Sequence, residues 1–196
     1  MRKELLLAVA FEEFAQSGYH TTLSQIGKRA GIKKQTIYNY FENKDDLLYE
    51  VIAQEINTFY AAKIRDLDRL MGLTPEEILR SIFFSICNYF KDTSKVRFWR
   101  WLFMIESTDL FEKSRDLIRE NEKNFYISLK KVVRREMIEC DAEEKDIFAA
   151  VQVFAASIQG IMDLMLLYRD MYDSQTLIEN VWEFYWKSIR CSISDE

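Results

Sequence analysis

Proline occurs once in the 196 residues and glycine only five times. A β-sandwich or barrel needs turn residues about every 8–12 positions, and this chain does not have them. No long stretch alternates apolar and polar residues, whereas helical spacing recurs throughout, so an all-α architecture is expected. The single histidine, His20, lies beside a turn and reads as a surface residue; its solitude removes most hydrolase triads and metal sites. No glycine-rich phosphate loop is present either. Cys87, Cys140 and Cys191 are odd in number and far apart, which suggests neither a disulfide framework nor a zinc knuckle and suits a reducing compartment. No apolar run reaches the roughly 18 residues of a membrane span. The start, MRKELLLAVAFEEF, has basic residues and a short apolar run, but Glu12 and Glu13 interrupt it and no small-residue cleavage site follows. These absences imply a soluble cytoplasmic protein with no metal, no cofactor, no catalytic set and no membrane association.

What is present is 48% apolar and 30% charged, enough for a real core under an ordinary soluble surface. The net charge of −5 speaks against a general nucleic-acid coat, but its distribution is uneven. Between residues 28 and 44 lie Lys28, Arg29, Lys33, Lys34 and Lys44, opposed only by Glu42: a local charge of +4 on an acidic chain. Charge alone fits a solvated helix face as well as a nucleic-acid surface.

Periodicity and capping residues predict nine helices. The first runs to Ser17 with Leu7, Ala10, Phe11 and Phe14 on one face, before Gly18. Thr21 or Thr22 caps a short second helix that runs through Ala30, with Leu23 and Ile26 inward, and Gly31 follows. A third short helix spans about Lys34 to Phe41. Asn43 caps a long fourth helix reaching about Met71. Thr74-Pro75-Glu76-Glu77 has the cap, first-turn proline and capping-box glutamate of a strong helix start, and opens a fifth helix ending near Phe90. A sixth, from Ser94 to Glu106, is apolar nearly all round and is expected inside protein. The seventh covers about Leu110 to Glu139. The eighth begins after Asp141 and repeats Ile147, Val151, Phe154, Ile158, Ile161, Met165 and Tyr168 in steps of four and three, a coiled-coil-like seam. The ninth, after Ser174, carries one row at Leu177, Val181 and Phe184 and another at Ile178, Trp182, Tyr185 and Ile189.

The two short helices joined through Gly31 form a helix-turn-helix, whose second helix is the one that enters a major groove. That second helix exposes Lys33, Lys34, Gln35, Thr36, Asn39 and Tyr40, while Ile37 and Phe41 hold it to the first. Lys44, opening the fourth helix, can meet a phosphate together with the helix's own amides. Leu6 to Val51, about a quarter of the chain, resembles the DNA-binding domain of the TetR family. The resemblance is carried by Phe14, Gly18 and Tyr19 at the end of the first helix, Thr21-Thr22, and Ala30-Gly31. Its most specific part is Thr36-Ile37-Tyr38-Asn39-Tyr40-Phe41-Glu42-Asn43-Lys44, set against Thr-Leu-Tyr-x-x-Phe-x-x-Lys.

The resemblance implies that Thr22, Tyr38, Tyr40 and Lys44 contact phosphates, and that Lys33, Lys34, Gln35 and Thr36 face bases or nearby phosphates. It also implies six further helices, the last two forming a dimer interface, and a pocket between helices four and eight. Lys33 stands where Ser or Thr usually caps the third helix. Gln35 replaces a small residue and can pair with adenine. Gly27 stands for Ala, at about 1 kcal/mol of helix propensity, and Glu13 stands for an apolar residue.

The aromatic residues Phe59, Tyr60, Tyr89, Phe90, Trp99, Trp101, Phe103, Phe125 and Tyr126 can line an inducer pocket or fill a core, and sequence alone leaves both open; Phe59, Tyr89, Trp99, Phe103 and Tyr126 are the ligand candidates among them. Asn88, Gln152, Gln159 and Asp163 sit in apolar runs and need partners if buried. Of these, Gln159 and Asp163 are the polar candidates for a ligand, with Asp163 able to pair with a cation. Phe154, Ile158, Ile161, Met165, Trp182 and Tyr185 are the candidate dimer contacts.

The reading is thus an all-α protein with a helix-turn-helix domain over residues 1–46 and a helical ligand-binding and dimerisation domain over 47–196. It is expected to be a homodimeric repressor of an inverted-repeat DNA operator, released by a small hydrophobic or aromatic effector. A ligand-independent helical DNA-binding protein, or a helical enzyme or interaction module, is the alternative.

Overall fold

The computed structural model describes residues 3–168, 170–171 and 173–190. Among them there is no strand. The nine α-helices are α1 (Lys3–Ser17), α2 (Leu23–Arg29), α3 (Lys34–Ile37), α4 (Lys44–Leu70), α5 (Pro75–Tyr89), α6 (Thr93–Trp101), α7 (Thr108–Met137), α8 (Glu144–Leu167) and α9 (Ser174–Ile189). Short 3-10 turns follow α1, α6 and α7.

The predicted caps hold where the side-chain chemistry is local. Thr22 and Gln25 close a reciprocal capping box on α2, and Thr74 and Glu77 close another on α5, with Pro75 in its first turn. Three boundaries differ. α3 is a single turn, because the chain turns through Tyr38–Tyr40 to start α4. There Asn43 accepts from the Asp46 N–H at 2.9 Å while Asp46 accepts from the Glu42 N–H at 3.1 Å. α6 ends at Trp101 and tightens into a 3-10 turn that leaves Phe103 and Met104 exposed, so the segment is not enclosed all round. Asp141 takes a left-handed φ of 56° at the end of the turn after α7, and Glu143 rather than Asp141 caps α8.

The residues gather into two compact units, Met1–Phe59 with Thr93–Asn121, and Tyr60–Asp92 with Glu122–Glu196; α4 and α7 supply residues to both. In the first unit α6 packs along α1, with Phe11 against Phe98 at 4.8 Å and Phe14 against Trp101 at 6.1 Å. In the second, α5, α8 and α9 pack together. Phe83 of α5 meets Phe154 of α8 at 5.4 Å and Trp182 of α9 at 5.6 Å, and Phe154 meets Tyr185 at 5.4 Å.

This cluster redirects the expected dimer contacts. Phe154, Ile158, Ile161, Trp182 and Tyr185 are buried within the chain itself, Met165 is half-buried, and Tyr168 is exposed. The seam of α8 and the second row of α9 are therefore the chain's own core, because α5 fills the space in front of them. The other row of α9 is the open one: Leu177 and Val181 are half-buried and Phe184 is 80% exposed. On length and composition α8 is apolar enough to cross a membrane, a property shared by core helices, and its seam is covered by α5 and α9. Cys87 is a free, buried thiol pushed up to about 12 by desolvation. Cys140 is disulfide-bonded, which the spacing argument did not anticipate, since separation in sequence says nothing of distance in space. Cys191 lies outside the described residues.

Candidate nucleic-acid interface

Five buried side chains fix the N-terminal head: Leu6, Ala10 and Phe14 of α1, Ile26 of α2 and Ile37 of α3. The turn between α2 and α3 is built on two glycines. Gly31 adopts a φ of +69°, which favours glycine. Gly27 accepts the Ile32 N–H at 2.8 Å, and a Cβ there would lie 2.9 Å from the Ile32 carbonyl oxygen. The glycine that lowers helix propensity thus admits the close approach of the turn. Glu13 is explained too: its carboxylate pairs with Arg29 at 2.8 Å, and its carbonyl accepts from the buried Thr21 hydroxyl at 2.9 Å. Both contacts tie α1 to α2.

With Ile37 and Phe41 buried, the rest of the segment faces outward. Lys33, Lys34, Gln35, Tyr38, Asn39 and Tyr40 are exposed, as are Thr22 and Lys28 of α2; Thr36 is half-buried. Lys34 holds its ammonium 5.5 Å from the Tyr38 ring centre. Lys33 precedes α3 without a side-chain cap bond, as its lack of an acceptor requires. The Thr22 hydroxyl already accepts the Gln25 backbone N–H and donates to the Gln25 side-chain amide oxygen at 2.7 Å.

Lys44 is more constrained than its place in the motif suggests. Half-buried, it donates to the Tyr19 carbonyl at 2.6 Å beneath that residue's ring. The Tyr19 hydroxyl donates to Asp45 at 2.7 Å, and burial followed by the Asp45 carboxylate raises its pKa. Behind this clamp Trp101 stacks on Tyr19 and fills the space at Gly18. Gly18 has φ +60°, and a Cβ there would fall 1.6 Å from Trp101 Nε1. His20 is exposed.

The residues expected around an effector are distributed over both units. In the first, Phe59 and Trp99 are buried edge to face at 5.2 Å, and Phe103 is 62% exposed. In the second, Tyr89 is half-buried against Phe90 at 4.8 Å, and Tyr126 is half-buried. Gln159 and Asp163 are exposed, as are Asn88 and Gln152. Gln152, Gln159 and Asp163 lie off the buried stripe of α8, so Asp163 is not the interior carboxylate that the apolar run around it suggested.

Two interior charged residues, Glu122 and Lys63, take that place instead. Glu122 is half-buried and accepts from the Tyr60 hydroxyl at 3.1 Å. Lys63 is buried, donates to the Ser85 hydroxyl at 2.5 Å and stands 3.7 Å from Asp66; burial lowers its pKa. Glu122 sits in Arg-Glu-Asn-Glu-Lys, which reads as a solvated face, though its spacing from Phe125 and Tyr126 was a usable signal.

A short, basic helix held by two apolar anchors and presenting amide, hydroxyl and phenol groups completes a helix-turn-helix. Residues 6–51 match the family of bacterial regulatory proteins, tetR family. The chain is similar to the fatty acid metabolism regulator protein of Bacillus subtilis (strain 168), at 38% identity over 55 residues, 28% of this chain and 28% of that protein. This match thus spans about a quarter of that relative's length. Two solved structures share the fold over nearly the whole chain. The transcriptional regulator FadR from Bacillus subtilis, in complex with stearoyl-CoA, has a TM-score of 0.72 at 24% identity over 94% of this chain and 97% of that one. The fatty acid degradation regulator FadR from Bacillus halodurans has a TM-score of 0.75 at 20% identity over 96% and 100%.

Proposed function

We propose that the chain is a cytoplasmic repressor that binds an inverted-repeat DNA operator as a homodimer and releases it when a small hydrophobic or aromatic molecule binds. Residues 1–46 serve as the DNA-binding domain and 47–196 as the effector and dimerisation domain. The observation that carries the reading is the exposed row Lys33, Lys34, Gln35, Tyr38, Asn39 and Tyr40 around the buried anchors Ile37 and Phe41. In this arrangement the lysines and phenols suit phosphates, and the Gln35 and Asn39 amides suit base edges.

Dimerisation uses the face of α8 and α9 left open by the core. Val153, Ser157, Asn180, Val181 and Phe184 border a groove of about 260 Å³ floored by Tyr185. An isologous dimer needs a patch that fits itself, and a projecting phenylalanine beside an apolar groove suits that requirement. Two recognition helices then meet half-sites about one helical turn apart, or a multiple of it. The effector acts by binding the non-DNA-competent state more tightly, and coupling of roughly 5- to 150-fold is the usual range. The relatives bearing fatty-acid regulator names support an apolar effector.

Fluorescence anisotropy of the full chain on inverted repeats from its own upstream region tests the reading. Submicromolar, salt-dependent binding to one such repeat over scrambled DNA is expected. A folded dimer that prefers no DNA sequence would overturn it. Sequence-specific binding that no compound in an effector library weakens would leave a ligand-independent DNA-binding protein.

A further inference from the structure

Resting on the effector-responsive reading above, we infer that Glu122, with the rings of Tyr60, Phe125 and Tyr126, forms a binding site for an organic cation. α7 places Glu122, Phe125 and Tyr126 at spacings of three and four, on one helix face. Tyr60 of α4 comes up against that face. Its hydroxyl donates to one Glu122 oxygen at 3.1 Å, and its ring meets Phe125 edge to face at 6.1 Å. Phe125 and Tyr126 stand 6.0 Å apart.

The exposures divide the cluster into a floor and an opening. Tyr60 and Phe125 are buried, whereas Glu122 and Tyr126 are half-buried and can be reached from outside.

No arginine or lysine among the described residues pairs with this carboxylate. Two other half-buried glutamates are paired: Glu13 with Arg29 and Glu55 with Lys95, both at 2.8 Å. Glu122 has only a neutral phenol. Withdrawing a carboxylate from water without a counter-charge is unfavourable, and burial accordingly raises its pKa. The same surroundings push the Tyr126 phenol up to about 12, so that ring stays neutral at physiological pH. The site thus has a carboxylate and the electron-rich faces of aromatic rings, and lacks a cation of its own. A quaternary ammonium, phosphonium or protonated amine with apolar substituents satisfies all three conditions. An anion meets both Glu122 and the ring faces unfavourably. A sugar needs more hydrogen-bonding groups than one carboxylate and two phenols provide.

Equilibrium dialysis of the full chain with tetraphenylphosphonium and its size-matched anion, tetraphenylborate, tests the site. The wild type is expected to prefer the cation by roughly tenfold or more. Glu122→Gln should bring that preference close to unity, and Glu122→Asp should restore part of it. Tyr126→Leu, which keeps the carboxylate, should weaken the cation several-fold and leave the anion unchanged. Circular dichroism checks folding; if Glu122→Gln does not fold, Tyr126→Leu decides. Failure of the wild type to bind either ion, equal affinity for both, preference for the anion, or an unchanged ratio in folded Glu122→Gln would overturn the inference. Operator binding is read separately. A chain that selects the cation through Glu122 but recognises no DNA keeps this site and loses the regulator reading. A chain that binds its operator without cation preference loses only the site.

Discussion

The ammonium of Lys44 lies 2.6 Å from the Tyr19 carbonyl oxygen and 3.5 Å from the centre of the Tyr19 ring. The last residues before α2 are thereby fastened to the first turn of α4. Lys44→Ala should remove both the clamp and the proposed phosphate contact. Binding should weaken on every sequence, with the salt slope falling by about 1. The melting temperature should fall too, because a charge-assisted bond worth about 1 kcal/mol or more is lost. Anisotropy at several salt concentrations, beside a thermal melt, separates the effects; an unchanged slope with a lowered melting temperature would leave Lys44 only the clamp.

Gln35 is exposed on α3 with no anchoring role in the head. Gln35→Ala should therefore leave stability alone and change base preference at one operator position by about 1–3 kcal/mol. Binding to a panel of single-base operator variants measures this. Equal loss across the panel would remove Gln35 from the base readers.

Neighbouring residues of α9 should give opposite phenotypes. Phe184→Glu alters a side chain that is 80% exposed and should yield a folded monomer. Trp182→Glu places a charge where only 3% of the residue is exposed, against Phe83, and should unfold the chain, at about 3 kcal/mol or more. Sedimentation velocity and circular dichroism distinguish the two. Dimers that persist in Phe184→Glu would move the interface elsewhere.

Glu122 also carries a pH signature. Its folded pKa lies above its ordinary value, so the native state holds the proton more tightly than the unfolded chain. Its contribution to stability therefore rises as pH falls through the folded pKa and levels off below the unfolded value of about 4.3. Glu122→Gln should melt higher than wild type near neutral pH, and the gain should shrink as the solution is acidified. A variant that melts lower at pH 7 would mean that the carboxylate is stabilising there.

Gly18→Ala should destabilise the head by about 2 kcal/mol or more, from left-handed strain and from overlap with the indole. A shift in Trp101 fluorescence during thermal melting reports it. Removing the indole as well, in Gly18→Ala with Trp101→Ala, should leave only the strain. If both proteins lose the same stability relative to their glycine parents, the overlap contributes nothing.

The head was legible because its determinants are local. A hydroxyl at Thr21 or Thr22 declares the start of α2, and Gly31 falls where the backbone turns left-handed. The seam of α8 was legible as a buried stripe but not as to what buries it. Period alone cannot distinguish α5 of the same chain from a second copy, and here it is α5 that covers it. Asp163 stood out because its neighbours are apolar, yet α8 is apolar on more than one side and Asp163 faces outward. Glu122 was hidden for the converse reason: charged neighbours surround it in sequence, while its spatial neighbours are rings.

The seat of Trp101 at Gly18 bears on how this chain can be taken apart and recombined. Residues 1–46 look like a portable reading head, suited to grafting onto another sensor. Yet part of that head's inner wall comes from residues 93–101: Phe98 lies against Phe11 and Trp101 against Phe14 and Tyr19. A graft cut at residue 46 would expose these rings and leave the space beside Gly18 empty. A chimera intended to keep this chain's operator choice must carry the α6 segment with it, or receive from its new host an indole that fits the same glycine.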